Sequence, residues 1–393
     1  MLKAMAYADS LADLARQAAE AAGRSASMPI LSHVLLEGLG ARIRVTATDL
    51  EVTWQGTVAA EGFAEGRAAV PGRLLAAALD GIAGVAELTL RPDGTLAVDS
   101  QDAAFAAEIW GLSADDFPRV DPASGKGVSV APDALSRAVD RALWAAGERG
   151  ADFNCGAVCV GVRRGRTYLA ATDGRNLSCV FLTEGAPGDP SAPREHLISR
   201  RGAARLKALA GLGLTVEIAC GTGKLAARAG SSAVILSLLD GRFPDWERML
   251  PGGPGEPEPT EVKVDRVPAL KALSRAGRFA DRGRGTARFA WDGAGPLRMG
   301  FESPLTGRLE QPIPARAAPG GARGGFSVDL EMKALESALK TMRENPGDDD
   351  SFRLSYHPGG RPAVVRSAVD EDTWTLLATA AGRREDCRDE DDA

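Results

Sequence analysis

Residues 1–381 predict an α+β protein of three consecutive, similar domains, each with two helices packed on antiparallel sheets. Three observations point there: an amphipathic helix that recurs three times, a second helix that follows it each time, and short strings that return at nearly the same interval.

The first helices begin near residues 10, 132 and 266 and read SLADLARQAAEAA, PDALSRAVDRALWAA and RVPALKALSRAGRFA. Leu11, Leu14 and Ala18 share one face, as do Leu135, Val139, Ala142 and Leu143, and then Leu270, Leu273 and Ala276. That spacing is the apolar stripe of a helix seated on a core. The second helices start from Val70, Ile198 and Ser327, with Ser327 or Asp329 as N-cap of the last. After each comes a hairpin, turning at Pro92-Asp93-Gly94, Gly221-Thr222-Gly223 and Pro358-Gly359-Gly360. TATDL at 46–50 returns as ATDG at 171–174, and the DDFP of Asp115–Pro118 returns within the GRFPDW of Gly241–Trp246. Linker-like Pro/Gly stretches near 126 and 255 then give domains at 1–125, 126–255 and 256–381, with an acidic tail at 382–393. A unit this long is a domain and not a solenoid module.

Composition narrows the function. The net charge of −6 argues against a uniformly nucleic-acid-binding surface. Basic residues nonetheless gather on the helices: Arg16 and Arg24 flank the first, Arg73 lies in its partner, and Arg137 and Arg141 lie in the third. Arg200, Arg201, Arg205 and Lys207 follow with no acid among them, and Lys333, Lys340 and Arg343 lie in the last. A basic concave face on an acidic protein suits sequence-independent contact with phosphate. No apolar run is long enough to span a membrane and there is no secretion signal, so a cytoplasmic protein is expected. Five scattered cysteines give neither a disulfide framework nor a metal site, and no cofactor is expected.

Size makes a ring the natural use of such repeats. A domain of this length is roughly 35 Å across, and six in a circle leave a hole of roughly 35 Å. That admits a duplex, so two head-to-tail copies of three domains suffice.

Several segments resemble the bacterial DNA polymerase III beta subunit family: GRSASMPILSHVLLEG (23–38), VTATDLEVTW (45–54), AATDGRNLS (170–178), LISRRGAARLKAL (197–209) and LDGRFPDWERMLP (239–251). The resemblance implies three clamp-type domains per chain and a head-to-tail homodimeric ring on double-stranded DNA. It also implies partners, namely the DNA polymerase III catalytic subunit, the clamp loader and other clamp-motif proteins. They would dock in a cleft matched here by Thr172, Gly174, Arg175, Asn176 and Leu177, by Pro244, Arg248 and Met249, and by Leu376 and Leu377. Arg24, Arg200 and Arg201 fall where the family meets DNA, and Ile109 and Phe279 where its copies meet. Two departures stand out. Arg175-Asn176 replaces the family's His-Arg, and the acidic REDCRDEDDA replaces its Met-Pro terminus. A divergent or second clamp paralogue with altered partners, or a linear three-domain adaptor, are the other readings.

An enzyme fits less well. His33, His196 and His357 lack partners at a catalytic spacing, Gly221–Lys224 lacks the rest of a phosphate loop, and Asp49 and Asp173 read as turn residues.

Overall fold

The computed structural model describes residues 3–23, 28–62, 66–101, 104–120, 127–147, 156–187, 195–246, 250–251, 256–280, 285–318, 324–342, 349–368 and 373–377. One order of elements occurs three times. The first repeat runs β1 (Lys3–Tyr7), α1 (Ala8–Ala21), β2 (His33–Gly38), β3 (Arg42–Thr48), β4 (Val52–Ala59), β5 (Arg67–Pro71), α2 (Gly72–Leu79), β6 (Val85–Leu90), β7 (Thr95–Ser100) and β8 (Ala106–Trp110). The second runs β9 (Val128–Val130), α3 (Pro132–Leu143), β10 (Ala157–Arg163), β11 (Arg166–Thr172), β12 (Leu177–Glu184), β13 (Glu195–Ser199), α4 (Arg200–Ala210), β14 (Val216–Gly221), β15 (Lys224–Ala229) and β16 (Ser232–Ser237). The third adds one short strand: β17 (Thr260–Asp265), α5 (Arg266–Gly277), β18 (Thr286–Trp291), β19 (Leu297–Ser303), β20 (Gly307–Ile313), β21 (Ala315–Ala317), β22 (Phe326–Glu331), α6 (Met332–Thr341), β23 (Ser351–Tyr356), β24 (Ala363–Ser367) and β25 (Thr373–Leu377).

The second helices start later than the sequence suggested. Residues 326–331 form β22, because they alternate buried and exposed and pair with β18 from Trp291↔Phe326 to Thr286↔Glu331. Neither Ser327 nor Asp329 is therefore a cap, and Glu331 takes that place. Likewise α2 starts at Gly72, and α4 at Arg200 behind Ser199, whose Oγ accepts from Gly202 N at 3.0 Å.

The chain divides into two compact units, Met1–Ser136 with Thr183–Leu239, and Arg137–Leu182 with Asp240–Ala393. In the first, one sheet runs β1-β6-β7-β8 and the other β5-β2-β3-β4-β16-β15-β14-β9. The larger sheet crosses from the first repeat to the second at β4–β16, with Val52↔Leu236 and Trp54↔Val234 opposed. In the second unit the strands run β10-β11-β12-β25-β24-β23-β17-β21, and separately β20-β19-β18-β22. Here the crossing is β12–β25, from Leu177↔Leu376 to Val180↔Thr373. Each unit is thus built around one seam between repeats, and this is why the units do not coincide with the periods in the sequence.

Both cores are aliphatic with a few large aromatic rings. Trp54, Leu36, Ile43, Leu75 and Leu88 are fully buried in the first, and Phe289 and Phe352 in the second. Each such side chain contributes about 1.5–3 kcal/mol by leaving water. α1 buries Leu11 and a run of alanines, so it lies close to its neighbours. A Cβ on Gly72 would fall 2.6 Å from Val34 and 3.1 Å from Ala19, so glycine at the head of α2 permits the tight α1–α2 approach.

Candidate nucleic-acid interface and peptide site

Burying one face of a helix leaves the opposite face to water, and in the first unit three such faces line one groove. α1 presents Arg16 and Glu20, α2 presents Arg73 and Asp80, and α4 presents Arg201 and Arg205, one turn apart. The groove has a volume of about 1130 Å³, with Ser32, Pro71, Ala76 and Ala77 among its other walls. Four guanidinium groups and two carboxylates line it, on a chain whose net charge is −6.

The arginines are held differently. Arg201 Nη1 pairs with Asp49 Oδ2. Its Nη2 donates to the carbonyls of Glu20, Ala21 and Ala22 at 3.4, 3.1 and 3.2 Å, so it caps the carboxyl end of α1. Arg205 Nη1 donates to Glu20 Oε2 at 2.7 Å, and Arg16 pairs with Asp13 at 3.1 Å. Arg73 is exposed and has no carboxylate partner among the described residues.

The groove therefore gathers Arg16, Arg73, Arg201 and Arg205 from the expected set. Arg200 is exposed at the first position of α4 and Lys207 is half-buried, both outside the groove lining; Arg137 is exposed on α3. Arg24 lies outside the described residues. Arg141 needs correction as a phosphate contact. It is 2% exposed, and its Nε and Nη1 donate to Thr341 O at 3.2 Å and Thr373 Oγ1 at 2.6 Å. Arg137, four residues earlier on α3, is exposed, whereas the packing of α3 turns Arg141 inward. Arg73, Arg201 and Lys333 are each the second residue of their helix, and all three are exposed.

The expected peptide site begins at the β11–β12 turn. Thr172 Oγ1 donates to Asn176 O at 2.7 Å and accepts from Gly174 N at 3.0 Å. Asp173 Oδ1 accepts from the amides of Arg175 and Asn176 at 2.8 and 2.6 Å, and Asn176 Nδ2 donates to Asp173 Oδ2 at 3.0 Å. Gly174 has φ of 85°, a left-handed backbone suited to glycine. Gly174 and Arg175 are exposed, while Thr172, Asn176 and Leu177 are buried. The β3–β4 turn repeats the design: Asp49 Oδ1 accepts from Glu51 N and Val52 N at 3.0 and 2.7 Å.

Leu177 and Leu376 are opposed across the β12–β25 seam, and both are 1% exposed, as is Leu377. Pro244 is half-buried and its carbonyl accepts from Trp246 N at 2.7 Å. Arg248 and Met249 lie outside the described residues. An aromatic cluster that the sequence scarcely announces lies in this unit. Trp246 meets Trp374 at 5.0 Å and Tyr168 at 5.8 Å between centroids, and Arg163 lies 4.9 Å over its ring. The recurring FP strings were its one signal: Phe117 and Phe243 are both buried anchors.

At the free edges, Ile109 is 4% exposed and opposes Leu96 within its own sheet, whereas the adjacent Trp110 is 81% exposed. Phe279 is 37% exposed and its carbonyl accepts from Thr306 Oγ1 at 2.5 Å; Leu305, next to Thr306 in the chain, is 84% exposed.

Cys159, Cys179 and Cys220 are buried, and Cys155 and Cys387 lie outside the described residues. Burial pushes Cys220 up to about 12 and Cys179 well above the thiol range, so neither is a nucleophile at neutral pH. Among the described residues no group of three or more His, Cys, Asp or Glu could hold a metal ion, and no helix is long and apolar enough to cross a membrane.

Three copies of one α+β unit, seamed edge to edge, with basic helices along a groove, define a sliding-clamp architecture. Residues 5–121 match the N-terminal domain of the DNA polymerase III beta subunit. The beta sliding clamp of Pseudomonas aeruginosa is 28% identical over 320 residues, 79% of this chain and 84% of that one. That of Vibrio cholerae is 28% identical over 356 residues, covering 89% and 92%. The crystal structure of the Pseudomonas aeruginosa DNA polymerase sliding clamp superimposes with a TM-score of 0.84 at 23% identity, covering 96% of this chain and 99% of that one. The Thermotoga maritima beta subunit gives 0.82 at 21%, covering 96% and 99%. The chain is thus similar to beta sliding clamps over most of its length, and to the beta subunit's N-terminal domain over residues 5–121.

Proposed function

We propose that two copies of this chain join head to tail into a ring that encircles duplex DNA and tethers DNA polymerase III for processive synthesis. It is a processivity factor without a reaction of its own, and works with the clamp loader in the cytoplasm.

One observation carries the reading. Within each unit, the last strand before one repeat's second half pairs with the last strand of the following repeat: β4 with β16, then β12 with β25. By the same rule β20 and β8 are left over, and each ends its own sheet. A second copy supplies the missing partner for both, and a head-to-tail pairing of two copies closes. Exposed Trp110 suits a buried edge better than a solvated one. Ile109 would then support β8 from within while Phe279 flanks the partner edge.

Three clamp domains at 1–125, 126–255 and 256–381 follow from the recurring element order. The peptide site would use exposed Gly174 and Arg175 with Pro244, Arg248 and Met249, over a floor of Thr172, Asn176, Leu177, Leu376 and Leu377. Asn176 is tied to Asp173 and offers no charge where the resembled family's pattern has arginine, which favours altered partner specificity in a divergent clamp.

Sedimentation tests the ring. Wild type should run at twice 40.9 kDa, and Trp110→Lys should run as a monomer. A wild-type monomer at micromolar concentration would defeat the proposal.

A further inference from the structure

The groove contains a feature that works against tight binding. Glu20 stands in the last turn of α1, where the helix dipole disfavours an acid, and that turn carries no basic residue of its own. Its carboxylate meets Arg205 Nη1 at 2.7 Å, and the Glu20 side chain is 60% exposed while that of Arg205 is 16% exposed. Any phosphate reaching Arg205 must therefore displace, or accept repulsion from, a carboxylate already on it. Arg201 is in another situation, since three backbone carbonyls share its guanidinium with Asp49. Arg73 carries no such mask among the described residues.

Resting on the proposed DNA groove, we infer that Glu20 tunes grip: it masks Arg205, so duplex DNA is held by fewer phosphate contacts and slides. A ring retained by topology has no need of tight contacts, and a contact that must be broken at each step slows movement. Glu20 acts through Arg205 and is a positioning residue, with no direct part in phosphate recognition.

Each cation released to phosphate steepens the dependence of log affinity on log salt by about 0.9. The test is fluorescence anisotropy of a labelled duplex with the full-length protein between 50 and 200 mM salt. Glu20→Gln should steepen the slope by about 0.9, so that it loses about three- to fourfold more affinity than wild type over that range. Glu20→Gln with Arg205→Ala should return to the wild-type slope, and Glu20→Asp should stay near it. Arg73→Ala is the control and should flatten the slope. If Arg73→Ala flattens it while Glu20→Gln leaves it unchanged or flatter, the tuning role is lost and the groove stands. If Arg73→Ala leaves it unchanged, the groove does not face phosphate and the inference falls with it.

Discussion

Arg201, at the start of α4, reaches back 152 positions to pair with Asp49 in the β3–β4 turn, and the same guanidinium closes the carboxyl end of α1. The residue expected to face DNA also fastens the second repeat to the first. Asp49 is prepared for this, because its Oδ1 is already used by the turn and its Oδ2 is left for the arginine.

Arg201→Ala should lower stability by about 1–2 kcal/mol, since one end of α1 and a nearly buried carboxylate lose their partner. Asp49→Asn keeps the turn acceptor and should cost less. In the double variant the losses should be less than additive, because the two groups interact directly. Urea midpoints of the four proteins measure this, and full additivity would show that the pair is not coupled.

Arg141 is the counterpart in the second unit, sent from α3 to the carboxyl end of α6. Arg141→Met should cost about 2–4 kcal/mol, by removing the hydrogen bonds that Arg141 donates to Thr341 O and Thr373 Oγ1. Its salt dependence of DNA binding should match wild type. A flatter slope for this variant would return Arg141 to the phosphate-contact set.

Acid should weaken the fold through two histidines. Burial lowers the pKa of both His196 and His357. The unfolded chain, with histidine near the ordinary value of about 6.5, then takes up protons first. The stability they contribute is complete above that value and is lost as pH falls through their lowered values. Tm should be lower at pH 5.5 than at pH 7.5, and His357→Asn should remove part of the drop. An identical drop in the variant would place the titrating group elsewhere.

Arg175 offers the cleanest probe of the peptide site, because it is exposed and its side chain can be changed without touching the core. Arg175→Glu should weaken binding of a clamp-motif peptide roughly tenfold, about 1.4 kcal/mol, with Tm unchanged. Leu177→Asp is a poor probe, since it would bury a charge at the β12–β25 seam. Equal peptide binding by wild type and Arg175→Glu would remove the turn from the site.

Much of this was legible in the sequence, because periodicity survives where identity does not. Leu11, Leu135 and Leu273 announce the first helices through spacing alone, and Asp93-Gly94 and Gly359-Gly360 announce turns through backbone freedom. The helix starts were misread where β22 alternates with period two and runs directly into α6. Arg141 was misread because charge says nothing about which helical face is buried. The Arg201–Asp49 pair and the Trp246–Trp374 contact were hidden for a different reason: each joins distant segments through a seam that only the folded chain reveals.

Topology distinguishes a ring from a protein held on DNA by charge alone. The protein is loaded by a clamp loader onto nicked circular DNA, and the circle is then cut once. The ring should stay on the circle in high salt, which screens phosphate contacts, and be lost rapidly once the ends are free. Equal retention on circular and linear DNA, or loss from both with salt, would contradict it.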